Sequence, residues 1–168
     1  QVEAAKKIYA GASNPRTKEP IFPGLERGSE LGWSPTPVSY AVDFFKYRVF
    51  KDPGWDPKQL NFDSHLAEIG KRDNLILDGN DPNLTPSSSR GGRLLVYQGW
   101  AEPGIPPRNI VSYYGKVQKQ TKNAAESVRL FMVPGMGHCG GGDGASTFDM
   151  LAALDKWVST GKAPDTIP

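Results

Sequence analysis

Two short apolar runs constrain what this chain can fold into more than any other feature. RLLVYQG (93–99) and SVRLFMVPG (127–135) are nearly continuous in aliphatic and aromatic residues, and each stops at glycine. Runs of this length without polar alternation read as strands of a parallel sheet. Between them, PRNIVSYYGKVQKQT (107–121) places Ile110, Tyr113, Tyr114 and Val117 on one helical face. A second helix is expected within STFDMLAALDKWVSTGKAP (146–164). Ser146 and Asp149 have the spacing of an N-terminal capping pair, and Gly161 and Pro164 supply the stop. Its apolar face is expected to be Phe148, Leu151, Ala152 and Val158, with Leu154 and Trp157 beside it. Strand, helix, strand, helix predicts an α/β architecture, two parallel strands joined by a right-handed crossover helix. Two strands do not make a stable open sheet, so this half is expected to be the edge of a larger one.

The first 90 residues have a different character. They hold 9 of the chain's 15 prolines and 7 of its 19 glycines, scattered between short apolar stretches, which predicts many turns. VEAAKKIY (2–9) reads as a short helix and 13–33 as ordered loop. PVSYAVDFFKYRVF (37–50) is the best helix here, with Pro37 at its first position and Val38, Val42, Phe45 and Val49 at helical spacing. Tyr40, Phe44 and Tyr47 form a second stripe, so this helix is expected to be covered on more than one side. A short helix is expected near 64–71, with His65 as a surface or capping residue, and 77–92 reads as a turn-rich connector. DGNDPN (78–83) has some of the residues of a calcium loop but reads better as a turn.

Charge and length exclude several classes. Twenty Lys and Arg against 18 Asp and Glu give no basic stripe of the kind nucleic-acid binding requires. No stretch approaches the roughly 20 apolar residues of a membrane span. No signal-peptide pattern is visible in QVEAAKKIYAG, and the sequence does not start with Met, so a mature product, a processed subunit or a fragment is expected. The one cysteine, Cys139, has no partner within the chain.

Function in open α/β sheets sits on loops past the carboxyl ends of strands. Two such loops exist, GWAEPGIPP with Glu102 and GMGHCGGG with His138. One crossover unit separates the two residues, so the fold can bring them side by side. A carboxylate beside an imidazole fixes its tautomer and stabilises the imidazolium formed when the other nitrogen takes a proton. Chain order in α/β-hydrolases is Ser, then Asp or Glu, then His, and Glu102 before His138 fits it. Spacing alone leaves the alternative open that both are ordinary surface residues.

RLFMVPGMGHCGGG, together with GGRLLVYQGWAEPGIPPRNIVSYYGKV, resembles the C-terminal end of the tannase and feruloyl esterase family, which includes bacterial terephthalate-monoester hydrolases. The likeness is dense over 91–168 and looser through IFPGLERGSELGW and DPNLTPSSSRGG. It implies a secreted (periplasmic if bacterial) serine esterase acting on aromatic carboxylic esters, with an α/β-hydrolase core and an inserted lid. On that basis residues 91–168 are the C-terminal part of an α/β-hydrolase fold, an incomplete sheet edge. Residues 61–90 are a connector and 1–60 a loop-rich remnant of the lid. His138 is implied as general base and Glu102 as triad acid. Cys139 matches a cysteine that pairs with one beside the nucleophilic serine, which would lie on a missing N-terminal segment or a partner subunit. Trp33, Phe44, Phe45 and Trp55 would either face an aromatic acyl group or pack within the lid. No cofactor is expected here; the family's calcium site would lie in the missing part of the lid.

Three departures from the family pattern bear on this. Glu102 stands where Asp is usual, so its loop is expected to sit back by about a bond length. Gln98 stands where His is usual. No G-x-S-x-G elbow is present, and the serines of PSSSRGG (86–92) precede the wrong strand. The chain alone is therefore expected to be inactive. The alternative is a non-catalytic remnant or pseudo-enzyme that has lost its nucleophile.

Overall fold

The computed structural model describes residues 1–73 and 79–167. Strand β3 (Leu94–Gly99) and strand β4 (Val128–Val133) pair in parallel, Leu94 opposite Val128 through Gly99 opposite Val133. Helix α5 (Pro107–Gln120) joins them, with Pro107 buried in its first turn, and α6 (Ala124–Ser127) leads into β4. Val117, Ala124 and Val128 form the buried centre, and Leu84, Tyr113 and Tyr114 pack onto it. Both strands are mostly half-buried, not fully enclosed, because this sheet has two strands among the described residues.

Helix α7 (Met150–Thr160) forms where expected, but two details differ. Asp149 alone is the N-cap, its Oδ1 accepting from the Ala152 N–H at 2.9 Å; Ser146 does not cap it. The inward residue is Trp157, fully buried, whereas Leu151 and Val158 are 78% and 64% exposed. Arg93 and Arg129 lie 6.0 and 5.8 Å from the Trp157 ring centroid, within cation–π range. Gly161 closes the helix in the left-handed conformation, φ 72°.

The connector folds back onto α5. Thr121 is buried; its hydroxyl donates to the Pro82 carbonyl (2.6 Å) and accepts from the Leu84 N–H (2.8 Å). One helical turn, α4 (Thr85–Ser88), precedes β3. Asp81 Oδ1 accepts from Asn83 N–H and Asn83 Oδ1 from Thr85 N–H, so successive side-chain turns occupy these oxygens. Asp78, the first residue of DGNDPN (78–83), lies outside the described residues.

The N-terminal half begins with α1 (Val2–Ala10). The segment 13–33, expected to be loop, contains part of a small antiparallel ribbon, β1 (Ala12–Ser13) with β2 (Pro20–Phe22), and a 3₁₀ turn at Glu30–Gly32. Strands of two and three residues are too short to show alternation. The helix expected over 37–50 starts two residues later, as α2 (Ser39–Asp43), and continues as a π-helical turn, Phe44–Val49. In an ideal α-helix residues five apart diverge by about 140°. The wider turn, with Phe50 N–H donating to Phe45 C=O (2.8 Å), brings the two rings within 6.0 Å in a stack. Trp55 stacks on Phe45 at 5.0 Å, His65 meets Phe50 edge-on at 4.7 Å, and Val49 is buried. Of the second stripe, Tyr40 and Tyr47 are exposed, while Phe44 is half-buried and meets Phe45 edge-on.

Helix α3 (Ser64–Asp73) follows; Asn61 Oδ1 accepts from the Ser64 N–H (3.1 Å), and His65 Nδ1 accepts from the Asn61 N–H (3.1 Å). Asp63, just before α3, binds Arg16 through both oxygens (2.7 and 2.9 Å) and Asn14 (2.8 Å), tying the β1–β2 turn to α3. Arg16 first, then Asn14, lowers the Asp63 pKa from 3.8 to about 2. A carboxylate depressed on folding contributes stability above its unfolded pKa, and loses it as pH falls through the folded one. Asp63→Asn is therefore expected to lower Tm at neutral pH, with the gap to the parent closing as pH falls from 3.8 to about 2. A thermal series across that window checks it; a gap constant with pH would show the contacts do not act through charge.

Candidate functional site

The site is built where β3 and β4 end. At Gly99 the backbone of β3 touches the loop beyond β4: a Cβ there would lie 2.0 Å from the Met136 carbonyl oxygen. Trp100 N–H donates to Val133 C=O (2.9 Å) and Ala101 N–H to Met136 C=O (3.0 Å). The two loops are thus stitched together at their roots, and Met136 is fully buried between them.

The loop carrying His138 is glycine-rich but not slack. Met136 pairs with Gly142 in an antiparallel bridge, Gly137 N–H donates to Gly141 C=O (3.0 Å), and Gly144 N–H donates to Gly135 C=O (3.2 Å). The glycines are there because backbone crowds backbone. A Cβ at Gly144 would sit 1.8 Å from the Pro134 carbonyl oxygen, and Gly142 has φ 84°. His138 and Cys139 occupy the tip, with Cys139 in the left-handed conformation, φ 57°, its free thiol exposed.

The loop after β3 carries Glu102, 3% exposed. Its Oε2 lies 2.5 Å from His138 Nδ1. Its Oε1 accepts from the Gly104 N–H (2.7 Å) and the Ile105 N–H (3.1 Å). Both oxygens of a buried carboxylate are therefore bonded, as burial of a charge demands. Facing a carboxylate, Nδ1 carries the ring proton, and Nε2 is left with a free lone pair. The His138 side chain is 58% exposed, so Nε2 is open to an incoming proton donor. The arrangement can take a proton at Nε2 and stabilise the resulting imidazolium. The second oxygen of Glu102 is folded back onto its own loop.

The N-terminal segment buttresses this loop from outside. A Cβ on Gly32 would fall 2.5 Å from Pro103 Cβ, and one on Gly28 would fall 3.9 Å from Ala101 Cβ. Glu26 pairs with Arg108 of α5, whose guanidinium lies 6.0 Å from the Trp100 ring centroid. The Tyr9 hydroxyl donates to Glu30, raising the Tyr9 pKa and lowering that of Glu30.

The structure thus brings Glu102 and His138 together and leaves other candidates apart. The serines of 86–92 precede β3, about 20 Å of strand away from the His138 end, and Ser88 is bonded to Thr85 and Lys122 carbonyls. Phe45 and Trp55 belong to the aromatic cluster, with Phe44 edge-on to Phe45, and Trp33 packs on Tyr9 at 5.4 Å. Among the described residues no group of three or more His, Cys, Asp or Glu is placed to hold a metal ion, and no helix is long and apolar enough to cross a membrane. Sequence reasoning missed the N–H groups of Gly104 and Ile105; the Pro-Gly pair at 103–104 was the available sign of a tight turn there. It also gave Gln98 no task, whereas the Gln98 Nε2 donates to the Ile105 carbonyl at 2.9 Å.

Comparison with known proteins agrees with this layout. The family model for tannase and feruloyl esterase matches residues 1–168. An uncharacterized esterase of Xanthomonas campestris is 31% identical over 99% of this chain and 38% of its own length. Feruloyl esterase C of Talaromyces stipitatus is 31% identical over 88% of this chain and 32% of its own. The crystal structure of feruloyl esterase B from Aspergillus oryzae superposes with a TM-score of 0.84 at 26% identity, covering 98% of this chain and 37% of that one. The chain spans about a third of the length of the relatives it matches.

Proposed function

The chain belongs to the tannase and feruloyl esterase family, and we propose that it supplies the acid and the base of a serine carboxylic ester hydrolase acting on aromatic acid esters. The observation that carries this reading is the 2.5 Å contact between His138 Nδ1 and the buried Glu102 Oε2, on a His138 side chain that is 58% exposed. A serine outside these 168 residues attacks the ester carbonyl, and His138 Nε2 takes its proton. Glu102 holds the imidazole in the Nδ1–H tautomer and balances its charge. His138 then returns the proton to the leaving alcohol. Water attacks the acyl-enzyme with His138 as base again. The oxyanion donors lie with the nucleophile, outside this chain.

In this reading residues 91–168 are the C-terminal strands and helices of an α/β-hydrolase core, 61–90 the connector and 1–60 the end of a lid. The protein is exported, and Cys139 pairs with a cysteine beside the missing serine. Its exposure and its place at the loop tip next to His138 support that pairing, which would fix the base loop to the nucleophile loop. The test is hydrolysis of methyl ferulate and a gallate ester. The full-length natural protein carrying this sequence is expected to hydrolyse at least one of them, and the 168 residues alone neither. Turnover by the isolated chain, or its absence in the full-length protein, would contradict the reading.

A further inference from the structure

Glu102 meets His138 through one oxygen only; what fixes the other decides where the first one points. That second oxygen, Oε1, is held by the N–H groups of Gly104 and Ile105. Ile105 is gripped again on its other side, its carbonyl accepting from Gln98 Nε2 at 2.9 Å. Gln98 sits on β3, immediately before Gly99, which lies in contact with the Met136 backbone. The loop from Trp100 to Ile105 is therefore pinned at its start by Val133 and Met136 and at its end by Gln98. Pro106 and Pro107 follow Ile105 and carry no N–H; beyond Ile105 the chain is held by the Pro106 carbonyl, which accepts from the Asn109 N–H (3.0 Å), and by the buried Pro107. Ile105 itself is 47% exposed, so side-chain packing holds it weakly.

We propose that Gln98 is a positioning residue for Glu102: by holding the Ile105 carbonyl it sets the height of the acid loop, and so the reach of Glu102 Oε2 to His138 Nδ1. Gln98 and Glu102 thereby meet at one residue, Ile105, from its carbonyl and its N–H. The longer acid folds an oxygen back to Ile105, and the amide of Gln98 fixes Ile105 against the end of the strand.

The inference rests on the esterase reading for its effect on rate, but not for its effect on geometry, and two readouts separate them. In the full-length natural protein, Gln98→Met keeps the side-chain length and removes the donor. It is expected to lower kcat on methyl ferulate about 3- to 10-fold, the loss of one hydrogen bond, with KM unchanged. It is also expected to weaken the downfield proton resonance of His138 Nδ1–H. Gln98→His, which restores an N–H donor, is expected to recover both. In a Glu102→Gln background, Gln98→Met is expected to have no further effect, since the two act on one contact. Gln98→Glu, isosteric and without the donor, repeats the test should the Met variant not fold. An unchanged Nδ1–H resonance in the folded donor-less variant overturns the inference. A parent that hydrolyses no aromatic ester, while that resonance still responds to Gln98, overturns the esterase reading alone.

Discussion

Glu102→Gln is expected to lower kcat of the full-length protein by about a hundred- to ten-thousand-fold, with KM and fold little changed. The reason lies in which end of the amide goes where. Gly104 and Ile105 present two N–H donors to the Oε1 position, at 2.7 and 3.1 Å, and only an oxygen can accept from them. The amide NH₂ is therefore forced into the Oε2 position, facing His138 Nδ1. A donor there requires Nδ1 to be the acceptor, which moves the ring proton to Nε2. The nitrogen that should take the serine proton is then already occupied. The side chain remains isosteric and fully bonded, so the effect is on tautomer, not on stability. A Glu102→Gln enzyme retaining more than about a tenth of kcat would be a loss of under about 1.4 kcal/mol, too little for a triad acid.

The second oxygen of Glu102 is turned back onto its own loop, where the Gly104 and Ile105 N–H groups hold it and Gln98 holds the Ile105 carbonyl.

Much of this was legible in the sequence because it depends on local periodicity. The strands at 94–99 and 128–133, the helix between them and the capped helix after them fall where apolar runs, proline and glycine put them. The meeting of Glu102 and His138 followed from topology: parallel strands end on the same side of a sheet. What was not legible depends on neighbours. The buried face of α7 is one of these: periodicity puts Leu151 on it and Trp157 beside it, whereas Trp157 is buried and Leu151 exposed. The π-turn at Phe44–Val49 answers to Trp55 and His65, which lie outside the local pattern. The β1–β2 ribbon is set by pairing across a turn, not by its own five residues. The task of Gln98 is a contact between a strand and a carbonyl seven residues on, with no sequence signature of its own.

The most direct test of the account is chemical rescue at His138. Removing the imidazole leaves Glu102 buried with Oε1 still bonded and a gap open to solvent where the ring stood, since His138 is 58% exposed. His138→Ala in the full-length protein is expected to lose about ten-thousand-fold or more in kcat on methyl ferulate. Added imidazole, small enough to enter that gap and donate to Glu102, is expected to restore part of the rate with saturating concentration dependence. Rescue should vanish in the Glu102→Ala, His138→Ala double variant. His138→Ala activity within tenfold of the parent would contradict the assignment of His138 as the base.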